Sequence, residues 1–244
     1  MRILIALLLL LSTVAGAPAA DRPKLGPYAQ PILLNQTYLR THAAPDYWAM
    51  AAFYTPQATD ADCSVAAAAM AINALKGLSR RAEDAVLTEA ALLESVGDPA
   101  WRRDTANGGS GVTFAEFDGY IRAGLAKEGL DRASVAAKQP AKADRAALAA
   151  LRQALAANEA SGRNVMVVFF NQGVLTGDWD GPHASPIGAY DAKRDRVLIM
   201  DVDREWYVPY WVPTAKLLEA MLKPAPAEMG RLAGDRGGYF LISR

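Results

Sequence analysis

The chain has 244 residues, with 26 basic and 26 acidic side chains and a formal net charge of zero. This length is enough for one domain with a sizeable core, and a balanced charge without a basic stripe argues against a nucleic-acid partner. The one cysteine cannot form an internal disulfide, and together with only two histidines it cannot complete a structural zinc site.

The first twenty residues have the pattern of a secretory signal peptide. Arg2 precedes an apolar run over residues 3–11, and small residues at 17–20 suit a cleavage site. Because this run is shorter than the roughly 20 residues of a membrane span, we expect residues 1–20 to be removed. We therefore predict an exported protein without stable membrane insertion, in the bacterial periplasm or outside the cell, with residues 21–244 as a single domain. The alternative is an uncleaved membrane anchor.

The N-terminal half is predicted to be mostly helical, after a lead-in with little regular structure at residues 21–50. Apolar residues at helical spacing indicate helices at 64–76 and 83–96. Two more helices are predicted after Thr113, which has a glutamate at the capping-box position, and after Asp144. The first of the four is apolar on nearly every side, so we expect it to be buried.

Beyond Gly162 the apolar period changes from that of helices to that of strands. One late helix is predicted at 215–222, and strands are predicted at residues 165–170, 185–190, 197–202, 206–212 and 239–243. Helices first and strands second indicate an α+β fold, in which N-terminal helices pack against a C-terminal antiparallel sheet. We expect the two halves to face each other across a cleft.

Cys63 stands at the start of the first apolar helix, six residues after Gln57. A thiol at a helix N-terminus is near the positive end of the helix dipole, which favours the thiolate. A glutamine just upstream can place its side-chain amide where an oxyanion forms. Asp60 and Asp62 flank the thiol, and we expect one of them to cap the helix. The alternative for a lone cysteine is a buried, inert thiol.

His183 and Asp201 are the candidate partners of the thiol, because a cysteine nucleophile needs a base and the base needs an orienting group. His183 directly precedes a predicted strand, and Asp201 follows the apolar core of the next one. A turn at residues 191–196 would bring the aspartate back beside the histidine. His42 lies in the lead-in and is interpreted as a surface residue. The order Gln, Cys, His, Asp is that of papain-like cysteine peptidases.

Six segments of the chain resemble phytochelatin synthases. They lie at residues 111–117, 183–191, 196–204, 207–212, 217–221 and 238–244. The resemblance covers the chain from about Phe53 to Arg244 and is most specific between His183 and Trp211.

This resemblance implies a papain-like fold and a Cys-His-Asp triad that attacks glutathione at its Cys–Gly bond. Glycine leaves, and γ-glutamylcysteine stays on the enzyme as a thioester until water or another glutathione accepts it. Residue by residue, Cys63 is then the nucleophile, His183 the general base and later acid, and Asp201 the orienting group. Gln57 and the backbone N–H of Cys63 would stabilise the oxyanion.

We further assign substrate binding to Gly181, Arg204 and Arg236. No metal site and no cofactor are expected; a divalent heavy metal would enter only as part of a thiolate-bound substrate, in a response to metals. The expected partner is glutathione, a small thiol peptide, and no oligomeric state is predicted.

The chain departs from the phytochelatin synthase pattern at three places. Ser64 follows the nucleophile where glycine is frequent, Gln172 ends a run that has arginine in relatives, and Gly237 stands where an arginine is usual. Lost arginines weaken recognition of substrate carboxylates. The alternative is therefore an exported cysteine peptidase or amidase with another peptide substrate. A third hypothesis, from a different class, is a catalytically silent thiol- or metal-binding protein.

Overall fold

The computed structural model describes residues 24–79 and 81–244, so the predicted signal peptide at 1–20 lies outside the described residues. Within this part of the chain there are nine α-helices. They are α1 (Thr37–Thr41), α2 (Pro45–Ala51), α3 (Cys63–Lys76), α4 (Glu89–Val96), α5 (Pro99–Asp104), α6 (Phe114–Lys127), α7 (Arg145–Glu159), α8 (Gln172–Thr176) and α9 (Thr214–Leu222). None of them combines the length and the apolar character that crossing a bilayer requires.

Seven β-strands form one sheet. They are β1 (Gln30–Pro31), β2 (Ser134–Lys138), β3 (Asn164–Asn171), β4 (Pro182–Asp191), β5 (Arg196–Ile199), β6 (Tyr210–Pro213) and β7 (Gly238–Ser243). Their order is β1-β6-β5-β4-β3-β7-β2, and every neighbouring pair is antiparallel. The fold is α+β, and the five predicted strands are present with shifted ends.

The sheet differs from the prediction because its two edge strands come from the N-terminal half. The strand β1 has only two residues, and β2 is mostly exposed, so neither shows the apolar alternation that predicts a strand. The lead-in is also more regular than expected, because it contains β1, α1 and α2.

Helices cover both faces of the sheet. In β3 the odd-numbered residues from Val165 to Phe169 pack in one apolar cluster with α3 and α6, and the even-numbered residues from Met166 to Phe170 pack in another with α7 and α9. A strand buried on both faces accounts for the continuous apolar run in the sequence. The helices α7 and α9 lie against the face opposite to α3, and the expected cleft between the two halves stays a prediction.

The helix α3 holds the nucleophile candidate at its first position. Its residues from Ser64 to Leu75 are all buried, as the sequence predicts, and it packs against β3 and β4. The capping box at Thr113 and the cap at Asp144 are confirmed. The second predicted helix starts later, at Glu89, because the Thr88 side chain accepts the N–H of Ala91, and the sequence analysis missed α5.

Candidate active site

The β4–β5 hairpin brings His183 and Asp201 together. The two strands pair in antiparallel register around a turn in which Asp191 lies opposite Arg196. Asp201 follows β5 by two residues, and its Oδ1 lies 2.9 Å from Nε2 of His183. The aspartate is completely buried and the histidine is 5% exposed, so the pair is shielded from water.

Cys63 meets the same imidazole from the N-terminus of α3. Its side chain acts on the imidazole of His183, because it contributes to raising the pKa of that ring. Because Nε2 faces Asp201, Nδ1 is the ring nitrogen that is left for the sulfur. The thiol itself is only partly buried, so a small molecule can reach it. The three candidate triad residues thus lie together, and their catalytic roles stay predictions.

The charges of the site favour an imidazolium. Burial alone lowers the pKa of His183, but the charge and hydrogen bond of Asp201, followed by the contact with Cys63, raise it well above its usual value. Burial likewise opposes ionisation of Asp201, yet His183, the N–H of Asp203 and the Tyr210 hydroxyl lower the pKa of this carboxyl below its usual range. The arrangement can hold a thiolate–imidazolium pair, which is what a cysteine nucleophile requires.

Three donors besides His183 hold the Asp201 carboxylate. Oδ2 accepts the Nε2–H of Gln172 at 3.1 Å and the hydroxyl of Tyr210 at 2.9 Å, while Oδ1 accepts the N–H of Asp203 at 3.0 Å. Gln172 and Tyr210 are fully buried. Neither residue is predicted as a site residue; the signal that could indicate them is a polar group directly after the apolar β3 or within the apolar β6.

Tyr210→Phe should lower the free energy of unfolding at pH 7 by about 2 kcal/mol, because a buried carboxylate loses a charge-assisted hydrogen bond. The lowered pKa of Asp201 stabilises the fold above the carboxyl's unfolded pKa and ceases to do so as pH falls through the folded value. The difference between variant and wild type should therefore shrink toward pH 3, measured by urea unfolding. The control is Tyr239→Phe, since burial alone raises the pKa of Tyr239. An equal cost for both variants would contradict the role of Tyr210.

Gln57 is tied to the segment that follows Asp201. Its backbone N–H donates to the carbonyl of Val202 at 2.8 Å. Its side-chain Oε1 is buried and has no hydrogen-bond partner among residues 24–79 and 81–244. No described group therefore holds the amide by its oxygen. The role of Gln57 in stabilising an oxyanion stays a prediction.

The expected side-chain cap at the N-terminus of α3 is wrong. Asp62 is the N-cap residue, but its carboxylate accepts the upstream N–H groups of Ala58 and Thr59 rather than those of the helix. Asp60 accepts the N–H of Gly108 instead. Among the described residues, the N–H groups of Cys63 and Ser64 have no hydrogen-bond partner, whereas those of Val65 and Ala66 donate to the Asp62 carbonyl.

The three predicted substrate-binding residues have different local surroundings. Arg236 lines a small crevice next to His183, with Lys223 on its wall. Arg204 stacks its guanidinium on the Tyr54 ring, 4.4 Å from the ring centre, and Tyr54 in turn donates its hydroxyl to the Asp201 carbonyl.

Gly181 has a structural role next to the candidate triad. Its carbonyl accepts the N–H of Gln172 at 2.9 Å, and a Cβ here would lie 2.2 Å from the Trp179 ring. His42 is exposed and stacks on Tyr38, as expected of a surface residue. Among the described residues, no three side chains of histidine, cysteine, aspartate or glutamate are grouped to hold a metal ion.

Comparison with known proteins connects this site to one family. The family model described as phytochelatin synthase matches residues 30–230. Glutathione gamma-glutamylcysteinyltransferase 1 of Arabidopsis thaliana is 43% identical over 79 residues, which are 32% of this chain and 15% of the plant protein. Glutathione gamma-glutamylcysteinyltransferase 3 of Lotus japonicus is 40% identical over the same length, with the same shares. Each alignment therefore spans only a small part of the relative, whereas the family model covers most of this chain. The chain belongs to the phytochelatin synthase family.

Proposed function

We propose that the protein is a cysteine-dependent γ-glutamylcysteinyltransferase that cleaves glutathione at its Cys–Gly bond. The observation that carries this proposal is the contact of the Cys63 thiol with the buried His183–Asp201 pair. The plant relatives are named for transfer of the γ-glutamylcysteinyl group from glutathione. A thiol paired with an imidazole is suited to that acyl transfer.

The reaction follows from the roles of the three side chains. The thiolate of Cys63 attacks the cysteinyl carbonyl carbon, and the carbonyl electron pair moves to oxygen. Collapse of this intermediate breaks the amide bond, while His183 gives its proton to the leaving amine of glycine. The thioester that remains then reacts with water or with the amine of a second glutathione, and His183 takes the proton back. Asp201 keeps the imidazole oriented throughout.

The oxyanion would be held by the Gln57 side-chain amide and the backbone N–H of Cys63. The first N–H groups of a helix have no intrahelical partner, so that of Cys63 can donate to a developing negative charge. The side-chain Oε1 of Gln57 has no partner among the described residues, so the amide can orient its N–H group toward substrate. Both donors belong to the segment 57–63, which also carries the nucleophile.

The carboxylates of glutathione would meet the cations beside the crevice. Arg236 and Lys223 border it, although the Lys223 ammonium also binds Asp180 at 2.6 Å. Gly237 accounts for the shifted arginine, since a Cβ there would lie 1.9 Å from the Phe169 carbonyl oxygen. No side chain fits at 237, and the guanidinium therefore comes from the residue before it. Gly181 and Arg204 are proposed as further binding residues.

One observation favours the alternative of a cysteine peptidase or amidase with another peptide substrate. Gln172, at a position where relatives carry arginine, is fully buried and donates its amide to Asp201. It thus supports the triad and offers no cation to a substrate carboxylate. We also propose that the protein acts after export, without a resident cofactor, with a heavy metal entering only on substrate thiolates.

Mass spectrometry of the intact protein after brief exposure to glutathione tests the proposal. We expect a γ-glutamylcysteinyl adduct on Cys63 together with free glycine, and no adduct on a Cys63→Ala variant. Unrelated tripeptides with a central cysteine serve as competing substrates. An adduct from such peptides but none from glutathione would overturn the proposal in favour of the alternative. Acylation at another residue would overturn the assigned nucleophile.

A further inference from the structure

Two buried carboxyl groups meet beside the nucleophile. The N–H of Ala58 lies 3.2 Å from Oδ2 of Asp62 and 3.2 Å from Oε2 of Glu89. Asp62 also accepts the N–H of Thr59 at 2.9 Å, and Oε1 of Glu89 has no hydrogen-bond partner within the described part of the chain. Asp62 is 2% exposed and Glu89 9%. One backbone donor, at the exposed residue Ala58, therefore serves two acids whose own side chains are largely removed from water.

Such a pair must hold a proton. Among residues 24–79 and 81–244, no lysine or arginine forms an ion pair with either acid. Two adjacent buried carboxylates without a cation repel each other, so one of them stays protonated. Burial, and then the hydrogen bond and charge of Asp62, raise the pKa of Glu89 to about 9. At neutral pH Glu89 is the carboxylic acid, and its O–H can donate to the Asp62 carboxylate.

Among the described residues, the elements that pack against α4 offer Glu89 no other charge. The stretch Ser64–Leu75 of α3 has no charged residue, and Asp60 is exposed and bound to the N–H of Gly108. The helix α6, which packs on α4, has its charged residues exposed or engaged with arginines: Glu116 with Arg231, Asp118 with Arg122, and Lys127 exposed. Asp62 is thus the charged group that acts on Glu89.

The segment that this pair holds connects two functional residues. Gln57 precedes Ala58, and Cys63 follows Asp62, so the acid pair fixes the turn between the proposed oxyanion donor and the nucleophile. We propose that Glu89 is a positioning residue, whose protonated carboxyl anchors Asp62 and the Ala58 N–H and thereby holds Gln57 and Cys63 in their working arrangement. The link of this inference to catalysis rests on the proposed function. The geometry of the Asp62–Glu89 pair is independent of that function.

Variants at Glu89 test the proposal through two readouts at pH 7. Glu89→Gln keeps an N–H donor to Asp62 and should retain glycine release and iodoacetamide alkylation of Cys63 within about twofold. Glu89→Ala removes the donor and should lower both rates about tenfold, the equivalent of one hydrogen bond to a charged group. The matched controls are Glu94→Gln and Glu94→Ala, at an exposed position of the same helix. Equal rates for the Gln and Ala variants at position 89 would overturn the proposal. If no form cleaves glutathione, the proposed function fails, while the alkylation rates still decide the role of Glu89.

The pH dependence of melting tests the shared proton even if the alanine variant does not fold. In the wild type, the proton that Glu89 keeps in the fold stabilises the protein fully below the carboxyl's unfolded pKa, and this stabilisation falls as pH rises toward about 9. Glu89→Gln has no proton to lose at this position. The melting temperature of the variant minus that of the wild type should therefore rise steadily from pH 5 to pH 9. A difference that stays constant over this range would contradict the proton-sharing pair.

Discussion

Changing Cys63 to serine is expected to lower the rate of glycine release from glutathione by about 10⁴-fold or more. The proposed mechanism needs a thiolate that His183 stabilises as an ion pair, and a serine hydroxyl is far too weakly acidic to ionise there. Loss of a nucleophile from a triad has effects of this order in other hydrolases. The measurement is glycine appearance under saturating glutathione, at a neutral pH.

The serine variant also separates chemistry from folding. Cys63 is only partly buried and differs from serine by one atom, so the melting temperature should stay close to that of the wild type. A variant with normal melting and no glycine release assigns the loss to the thiol. Glycine release within tenfold of the wild-type rate would rule out Cys63 as the nucleophile, and with it the proposed mechanism.

The proximity of the three candidate triad residues could be predicted from the sequence because each of them has a local signal. Cys63 begins an apolar helix, His183 lies near the start of β4, and Asp201 follows β5, which a four-residue turn joins to β4. Local signals of this kind determine the positions of side chains along a hairpin, so the distance between the two residues follows from the pairing of β4 with β5.

The residues that support the triad could not be predicted in the same way. Gln172 and Tyr210 reach Asp201 from β3–α8 and from β6, and nothing in their local sequence indicates a common partner. The helix predicted around Glu89 starts six residues before the observed one. The hydrogen bond of Glu89 to the Ala58 N–H joins residues that are 31 positions apart. Such contacts depend on how elements pack, which periodicity does not encode.

The edges of the fold were missed for a related reason. A strand at the edge of a sheet is stabilised mainly by backbone hydrogen bonds to one neighbour, and it buries little apolar surface. The exposed β2 pairs with β7 along five residues and yet shows no alternation of apolar side chains. The central strands β3 and β4, which position the site, are buried along nearly their whole length, and the sequence predicts them.

Asp201→Asn is expected to lower the rate of glycine release by about 10²-fold or more, through loss of the charge that stabilises the His183 imidazolium. The carboxylate of Asp201 raises the pKa of His183 against the effect of burial. An amide cannot do so, and the imidazolium should lose its proton at a lower pH in the variant. The alkaline limb of the pH–rate profile should therefore move toward lower pH, in addition to the fall in maximal rate.

The surroundings of Asp201 indicate that the asparagine variant can fold. Its Oδ1 would still accept from His183 and from the N–H of Asp203. Its new NH₂ group would face the Tyr210 hydroxyl, which can accept as well as donate, and the Gln172 amide, whose carbonyl oxygen can accept once the amide flips. The matched control is Asp203→Asn, whose side chain makes no hydrogen bond to His183 among the described residues and interacts with it through charge alone. Its rate should stay within about threefold of the wild type, because Asp201 is the carboxylate that raises the pKa of His183. An unchanged alkaline limb in Asp201→Asn, or an equal loss in Asp203→Asn, would show that the Asp201 charge does not support the imidazolium. Because Asp201 connects Gln172, Tyr210 and His183, that result would also remove the reason for assigning the first two residues to the site.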